Sequence, residues 1–184
     1  MSLPVFFKDE EGVRAFLARL VLAVCPNCGA SRTFGPHGFI YGFTSPESYG
    51  KRARRIRCRR DGGYRGCGKT FSLRRASSLP WRCFGTRDVW RFIRALQTAR
   101  CIKKAWERTG LPLALQTGYR LYKRLRLCRP VLFSRFLSGA APPEQKVGPL
   151  SQVYQHLRES VAHGSQCPVS TYQLEFQKYF LAFS

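Results

Sequence analysis

Two cysteines three residues apart constrain this chain most: Cys25-Pro26-Asn27-Cys28-Gly29. Cysteines at i and i+3 on a tight turn direct both sulfurs at one point, with backbone amides turned toward them, and Gly29 permits the close turn. A closed tetrahedral metal site needs two more ligands. Cys58 and Cys67 are the best pair, because Cys67-Gly68-Lys69-Thr70-Phe71 repeats the Cys-Gly texture and leads into a strand-like run. Their spacing is Cys-x8-Cys, and Asp61-Gly62-Gly63 lets the intervening loop fold back. Four thiolates favour zinc, whose binding contributes on the order of 10 kcal/mol of folding free energy. Two other readings compete: ordinary reduced core cysteines, and a redox pair, although the latter lacks a βαβ context. His37 could replace one ligand, but a surface or turn histidine is the simpler assignment. Cys83, Cys101 and Cys128 fall at helical positions and read as core or interface residues. His163-x3-Cys167 has a ligand-like spacing without a partner pair.

The pattern around these cysteines predicts an α+β fold, a small zinc ribbon of short antiparallel β-strands followed by an α-helical helix-turn-helix module. Asp9-Glu10-Glu11 opens a helix over residues 10–22, with Val13, Phe16, Leu17 and Leu20 at helical spacing. Residues 25–75 are rich in Gly, Arg and turn formers, and short β-type runs lie at 39–43, 54–58 and 70–73. Such strands bury too little to fold alone, so a metal staple suits them. Val89, Trp90, Ile93 and Leu96 form one helical stripe, and Ile102, Ala105 and Trp106 a second that ends at Gly110. A further helix runs from Leu115 to about Cys128, before Pro130. The expected division is an N-terminal helix (1–24), a zinc ribbon (25–80), a helix-turn-helix module (81–130), and a linker with a C-terminal helical and aromatic segment (131–184). Gly139 to Pro143 reads as the linker, and Leu150, Val153, Tyr154, Leu157 and Val161 as a helix closed by Gly164.

Charge points to the partner. The net charge is +22 over 184 residues, and residues 51–139 carry twenty-five basic and three acidic side chains. The flanking stretches, 1–50 and 140–184, are each balanced. A one-sided block of this kind is an electrostatic footprint for a polyanion. A membrane-surface role fits less well, because basic membrane segments usually form one amphipathic helix. No stretch has the roughly 18–20 uninterrupted apolar residues that cross a bilayer. The apolar run 13–24 follows acids and contains Arg19, which argues against a targeting segment. The expected location is cytoplasmic, associated with the nucleoid.

Seven cations stand among the ten residues from Lys51 to Arg60. On a strand, alternate arginines can face phosphates, and the planar guanidinium binds two oxygens at once. Arg54, Arg55, Arg57, Arg59 and Arg60 are therefore the candidate contacts in the ribbon. Residues 102–110, 111–114 and 115–126 read as helix, turn and recognition helix. Gln116, Thr117 and Arg120 are then the base-edge candidates, while Lys123 and Arg124 contact phosphates. The competing reading is an ordinary amphipathic helical hairpin with a cationic face.

These modules in this order resemble the N-terminal half of bacterial insertion-sequence transposases. The matching residues are Cys25-Pro-Asn-Cys28-Gly, Cys58, Cys67-Gly-Lys-Thr-Phe-Ser72, Leu79-Pro-Trp81, and Gly110 through Thr117 to Arg126. The resemblance covers about residues 22–128 and implies binding of double-stranded DNA, as at transposon ends. The long Cys58/Cys67 spacing departs from it. A transposase-type nuclease needs three acidic residues to hold two Mg²⁺ ions. After Asp88 there are only Glu107, Glu144, Glu159 and Glu175, widely scattered, so no enzymatic activity is expected. The expectation is an accessory, regulator or remnant of a transposase. Its further partner is a separate transposase, or a second copy through the C-terminal segment. The alternative is an RNA-binding zinc-ribbon protein that clamps folded RNA by shape.

Overall fold

Asp9 sets the first helix: its Oδ1 accepts a hydrogen bond from the Gly12 N–H at 2.9 Å, and Glu10 and Glu11 follow in the first turn. In the computed structural model, which describes residues 2–80, 82–136, 149–160 and 167–181, this helix is α1, Glu10–Ala18. It is shorter than the sequence pattern suggests. A 3₁₀ turn, Leu20–Leu22, replaces its end, because Ala23 must already be extended for Val24 to pair with Ser31.

The fold is α+β. Two compact units divide the chain at Cys83/Phe84. The first holds β1 (Leu3–Phe7), α1, β2 (Phe34–Phe43), β3 (Tyr49–Cys58) and β4 (Thr70–Arg75). The sheet order is β1-β4-β3-β2, with β1 and β4 parallel and the other pairs antiparallel. The expected antiparallel ribbon is thus part of a mixed sheet, and the segment before residue 24 contributes a strand as well as a helix. Pro36 lies on β2, an edge strand, where its missing N–H breaks no ladder. Val13 of α1 packs with Phe34, Ile56, Phe71, Leu73, Cys25 and Cys58 into one buried cluster. The core therefore runs directly into the cysteine site.

The second unit is helical: α2 (Thr86–Thr98), α3 (Ile102–Glu107), α4 (Leu115–Phe136), α5 (Pro149–Ser160) and α6 (Pro168–Phe176). Asp88 reaches back to cap α2, its Oδ2 accepting from Gly85 N–H at 2.9 Å. Phe92 of α2 meets Trp106 of α3 edge to face at 5.5 Å. Trp90, half-buried, stacks on Tyr154 of α5 at 5.2 Å. Gly110, at φ +66°, follows α3 in the left-handed region and turns the chain.

The expected stop before Pro130 is not observed, and the boundary expected at 130/131 falls inside α4. An interior proline costs a helix about 3 kcal/mol or more. Burial on both sides offsets it: Leu125, Cys128 and Leu132 share one face of α4, which packs on α5. Arg129 adds a 2.9 Å hydrogen bond to Gln152 of α5. Downstream, Val153, Leu157, Val169, Tyr172 and Phe180 are all buried, so the described C-terminal residues join the helical unit. The expected linker at 139–143, and Val161 and Gly164, lie outside the described residues.

Candidate metal centre

The first cysteine pair sits on a backbone-bonded turn. Cys25 N–H donates to Ala30 O at 2.9 Å, and Gly29 N–H to Cys25 O at 2.8 Å. Gly29 closes it at φ +71°.

The second pair builds a similar turn despite its spacing. Cys58 ends β3 and Cys67 precedes β4. Cys58 N–H donates to Lys69 O, and Gly68 N–H to Cys58 O, both at 2.9 Å. The extra loop, residues 59–66, is pinched at its base by Gly66 N–H donating to Arg59 O at 2.8 Å. A side chain at Gly66 would have its Cβ against Arg59 O and 2.5 Å from Cys58 Sγ. Only glycine lets the loop close this tightly beside a sulfur.

The four sulfurs of Cys25, Cys28, Cys58 and Cys67 all lie within 4.8 Å of one another. Cys25 faces Cys67, and Cys28 faces Cys58, each pair at 3.8 Å. A regular tetrahedron with metal–sulfur bonds of about 2.3 Å has edges of about 3.8 Å. The sulfurs are too far apart for disulfides, and all four thiols are free. The cluster thus has a geometry that can hold a metal ion. Among the described residues no other group of three or more His, Cys, Asp or Glu does so.

Burial pushes the Cys25 thiol up to about 12, against hydrogen bonds from the Asn27 and Cys28 backbone. Cys67 is also penalised by desolvation, yet the Lys69 N–H and the other three thiols bring it down to about 7. Cys67 N–H also donates to Cys58 Sγ at 3.3 Å, and Thr33 Oγ1 lies 3.2 Å from the same sulfur. Outside the sulfurs, Lys69 Nζ donates to Asn27 Oδ1 at 2.5 Å and ties the two turns together. Such outer contacts orient ligands and balance thiolate charge.

The chain matches no family model, no curated protein and no solved structure.

His37 stands exposed on β2, apart from the sulfur cluster. Cys128 is a core residue as expected. Cys101 differs: it is exposed at the N-cap of α3. Cys83 lies before α2 and is not helical. His163 is outside the described residues.

The expected ribbon contacts take different environments. Arg54 and Arg60 are exposed, and Arg55 is half-buried. Arg57 lies 3.6 Å from Asp61, and Arg59 covers the Tyr64 ring at 3.7 Å. On α4, Gln116, Arg120 and Lys123 are exposed together, opposite the buried Gly118, Leu121 and Leu125. Thr117 is half-buried at the helix start, and its N–H donates to Ala114 O at 2.9 Å. Arg124 is half-buried, and its Nε donates to Leu181 O at 2.8 Å, a structural use that the sequence pattern did not reveal. The pattern also did not single out Gly66 or the Lys69–Asn27 tie. The repeated Cys-Gly texture signalled neither, because both depend on the folded loop. Among the described residues no helix is long and apolar enough to cross a membrane.

Proposed function

We propose that this chain is a DNA-binding protein of a mobile genetic element, related to the N-terminal region of insertion-sequence transposases. In this reading Cys25, Cys28, Cys58 and Cys67 hold a structural zinc ion, with four protein ligands and no open position for chemistry. Helices α3 and α4 form a helix-turn-helix, and α4 is the recognition helix.

The observation that carries the reading is the two-faced character of α4. Its buried face packs on the neighbouring helices, while Gln116, Arg120 and Lys123 project from the other face as one polar, cationic stripe. Arg paired with guanine and Gln paired with adenine are favoured base contacts in the major groove. Trp106 supports the turn, its Nε1 donating to Leu113 O at 3.1 Å. The connection over residues 108–114 is longer than the usual three- or four-residue turn, and Gly110 supplies its bend. Arg54 and Arg60 serve phosphates through charge.

Binding to short DNA duplexes, selected from a random pool and titrated with salt, tests this. A sequence preference that weakens with salt and is lost in Arg120→Ala is expected. Equal affinity for every duplex and for folded RNA would overturn it.

A further inference from the structure

The outer half of the β2–β3 hairpin exposes a row of aromatic rings that a protein of this size would ordinarily bury. Phe39, Tyr41, Phe43 and Tyr49 are 40%, 55%, 51% and 66% exposed. Phe39, Tyr41 and Phe43 alternate along β2, so they share one face of the strand. Their partners across the hairpin are Arg54, Lys51 and Tyr49. Arg54 and Lys51 are three apart in sequence and would normally face opposite ways. A register shift between Ile40 and Tyr41, where β3 carries the extra residue, returns both to the aromatic side. The contacts agree. Lys51 Nζ lies 4.4 Å and Arg54 Cζ 5.6 Å from the Phe39 ring, and Phe43 meets Tyr49 at 5.4 Å.

This part of the hairpin is an arm. β4 pairs with β3 over Arg54 to Arg57, and Lys51 and Tyr49 are paired with β2. At its base, beside Phe39, lies a cleft of about 220 Å³ whose lining includes Arg14, Arg75, Lys51 and Arg54 and one acid, Glu10. The turn of the arm carries one more acid, Glu47.

We propose that this arm binds single-stranded nucleic acid, with unpaired bases stacking on Tyr41, Phe43 and Phe39 while Lys51 and Arg54 hold the backbone. Stacked rings interleaved with cations are what an unpaired strand requires, since each base has a π-face and each linkage a charge. A β-ribbon lying in the major groove would instead need hydrogen-bonding side chains toward base edges, and Phe39 and Phe43 have none. An aromatic dimer surface would place Lys51 and Arg54 of two copies close together, with like charges opposed. The inference stands on the sheet unit and does not depend on α4.

The test is fluorescence anisotropy of the full chain with labelled oligothymidylate, oligouridylate and a mixed-sequence duplex. Tyr41→Ala and Phe43→Ala should each weaken single-strand binding about tenfold or more. Tyr41→Phe, which keeps the ring, should retain it, and duplex affinity should not change in any of the three. Lys51→Ala should lower the slope of log affinity against log salt by about 0.7. The oligothymidylate and oligouridylate arms tell DNA from RNA, and ring-dependent binding of either supports the proposal. Unchanged single-strand affinity in both alanine variants would overturn it. So would sedimentation showing that the rings hold two copies together. If duplex binding is absent but Tyr41→Ala still loses the single strand, the α4 reading fails and this one stands.

Discussion

The indole of Trp106 packs so close to Gly118 that a side chain there would place its Cβ 2.8 Å from the indole Cγ and Cδ2. This contact sets how near α3 and α4 approach. The rest of the indole is held by Phe92 and by the hydrogen bond to Leu113 O.

The contact reverses the usual sign of a substitution. Glycine to alanine inside an unobstructed helix stabilises by about 1 kcal/mol. Here overpacking against a fixed ring costs about 1–3 kcal/mol. Gly118→Ala is therefore expected to lower the thermal midpoint of the helical unit and weaken duplex binding. A raised midpoint by circular dichroism would show that the indole yields freely.

The metal centre should fail without loss of a ligand. Gly66→Ala is expected to release bound metal as fully as Cys67→Ser, because the pinched loop cannot close beside Cys58 Sγ. Gly50→Ala is the control, since its Cβ would meet nothing within 4 Å. Metal analysis of the purified chain should find one zinc per molecule in the parent and in Gly50→Ala, and almost none in the other two. Loss should also expose the sheet unit to proteolysis, given binding energies on the order of 10 kcal/mol.

Acid should weaken the helical unit through His156. The residue is fully buried, with its ring 5.4 Å from Phe133. Burial lowers its pKa below the usual histidine value of 6.5, and Glu159 opposes this only partly. Below that value the unfolded chain takes up a proton that the folded chain refuses, so stability falls as pH drops. Urea midpoints measured from about pH 7.5 to 5.5 should decline, and His156→Gln should flatten the helical part of that decline. An identical decline in the variant would place the acid sensitivity elsewhere.

Two arginines a turn apart on α4 should behave differently. Arg120→Ala is expected to cost about 1–3 kcal/mol of duplex binding while leaving stability within about 0.5 kcal/mol. Arg124→Ala should reduce stability, because it removes the donor to Leu181 O. Thermal melts beside binding isotherms check both, and a purely binding effect at Arg124 would contradict the structural role.

Much of the metal site is legible in the sequence. The Cys-x2-Cys turn is a local event, and its ligands announce themselves by type and spacing. The acids that open α1 and the apolar stripes of α1 and α2 are local too, so both helices were readable from spacing, whereas the Asp88 cap of α2 was not singled out. The partner cysteines were identifiable by elimination and texture, but their convergence was not, since it rests on Gly66 tolerating a contact with Arg59 and Cys58.

What the sequence determined alone is the set of short-range choices: where turns need glycine, which residues cap helices, which thiols lie three apart, and where charge accumulates. Tertiary structure decided the rest. β1 exists because Leu3 to Phe7 pair with Phe71 to Arg75, a parallel match across most of the sheet unit that no local pattern encodes. α4 passes through Pro130 because Leu125, Cys128 and Leu132 on either side of it are buried in a helix that packs on its neighbours, outweighing a local penalty. One extra residue in β3 decides which cations share a face with Phe39, Tyr41 and Phe43. In each case the deciding energy comes from groups distant in the chain, and only the folded backbone brings them into contact.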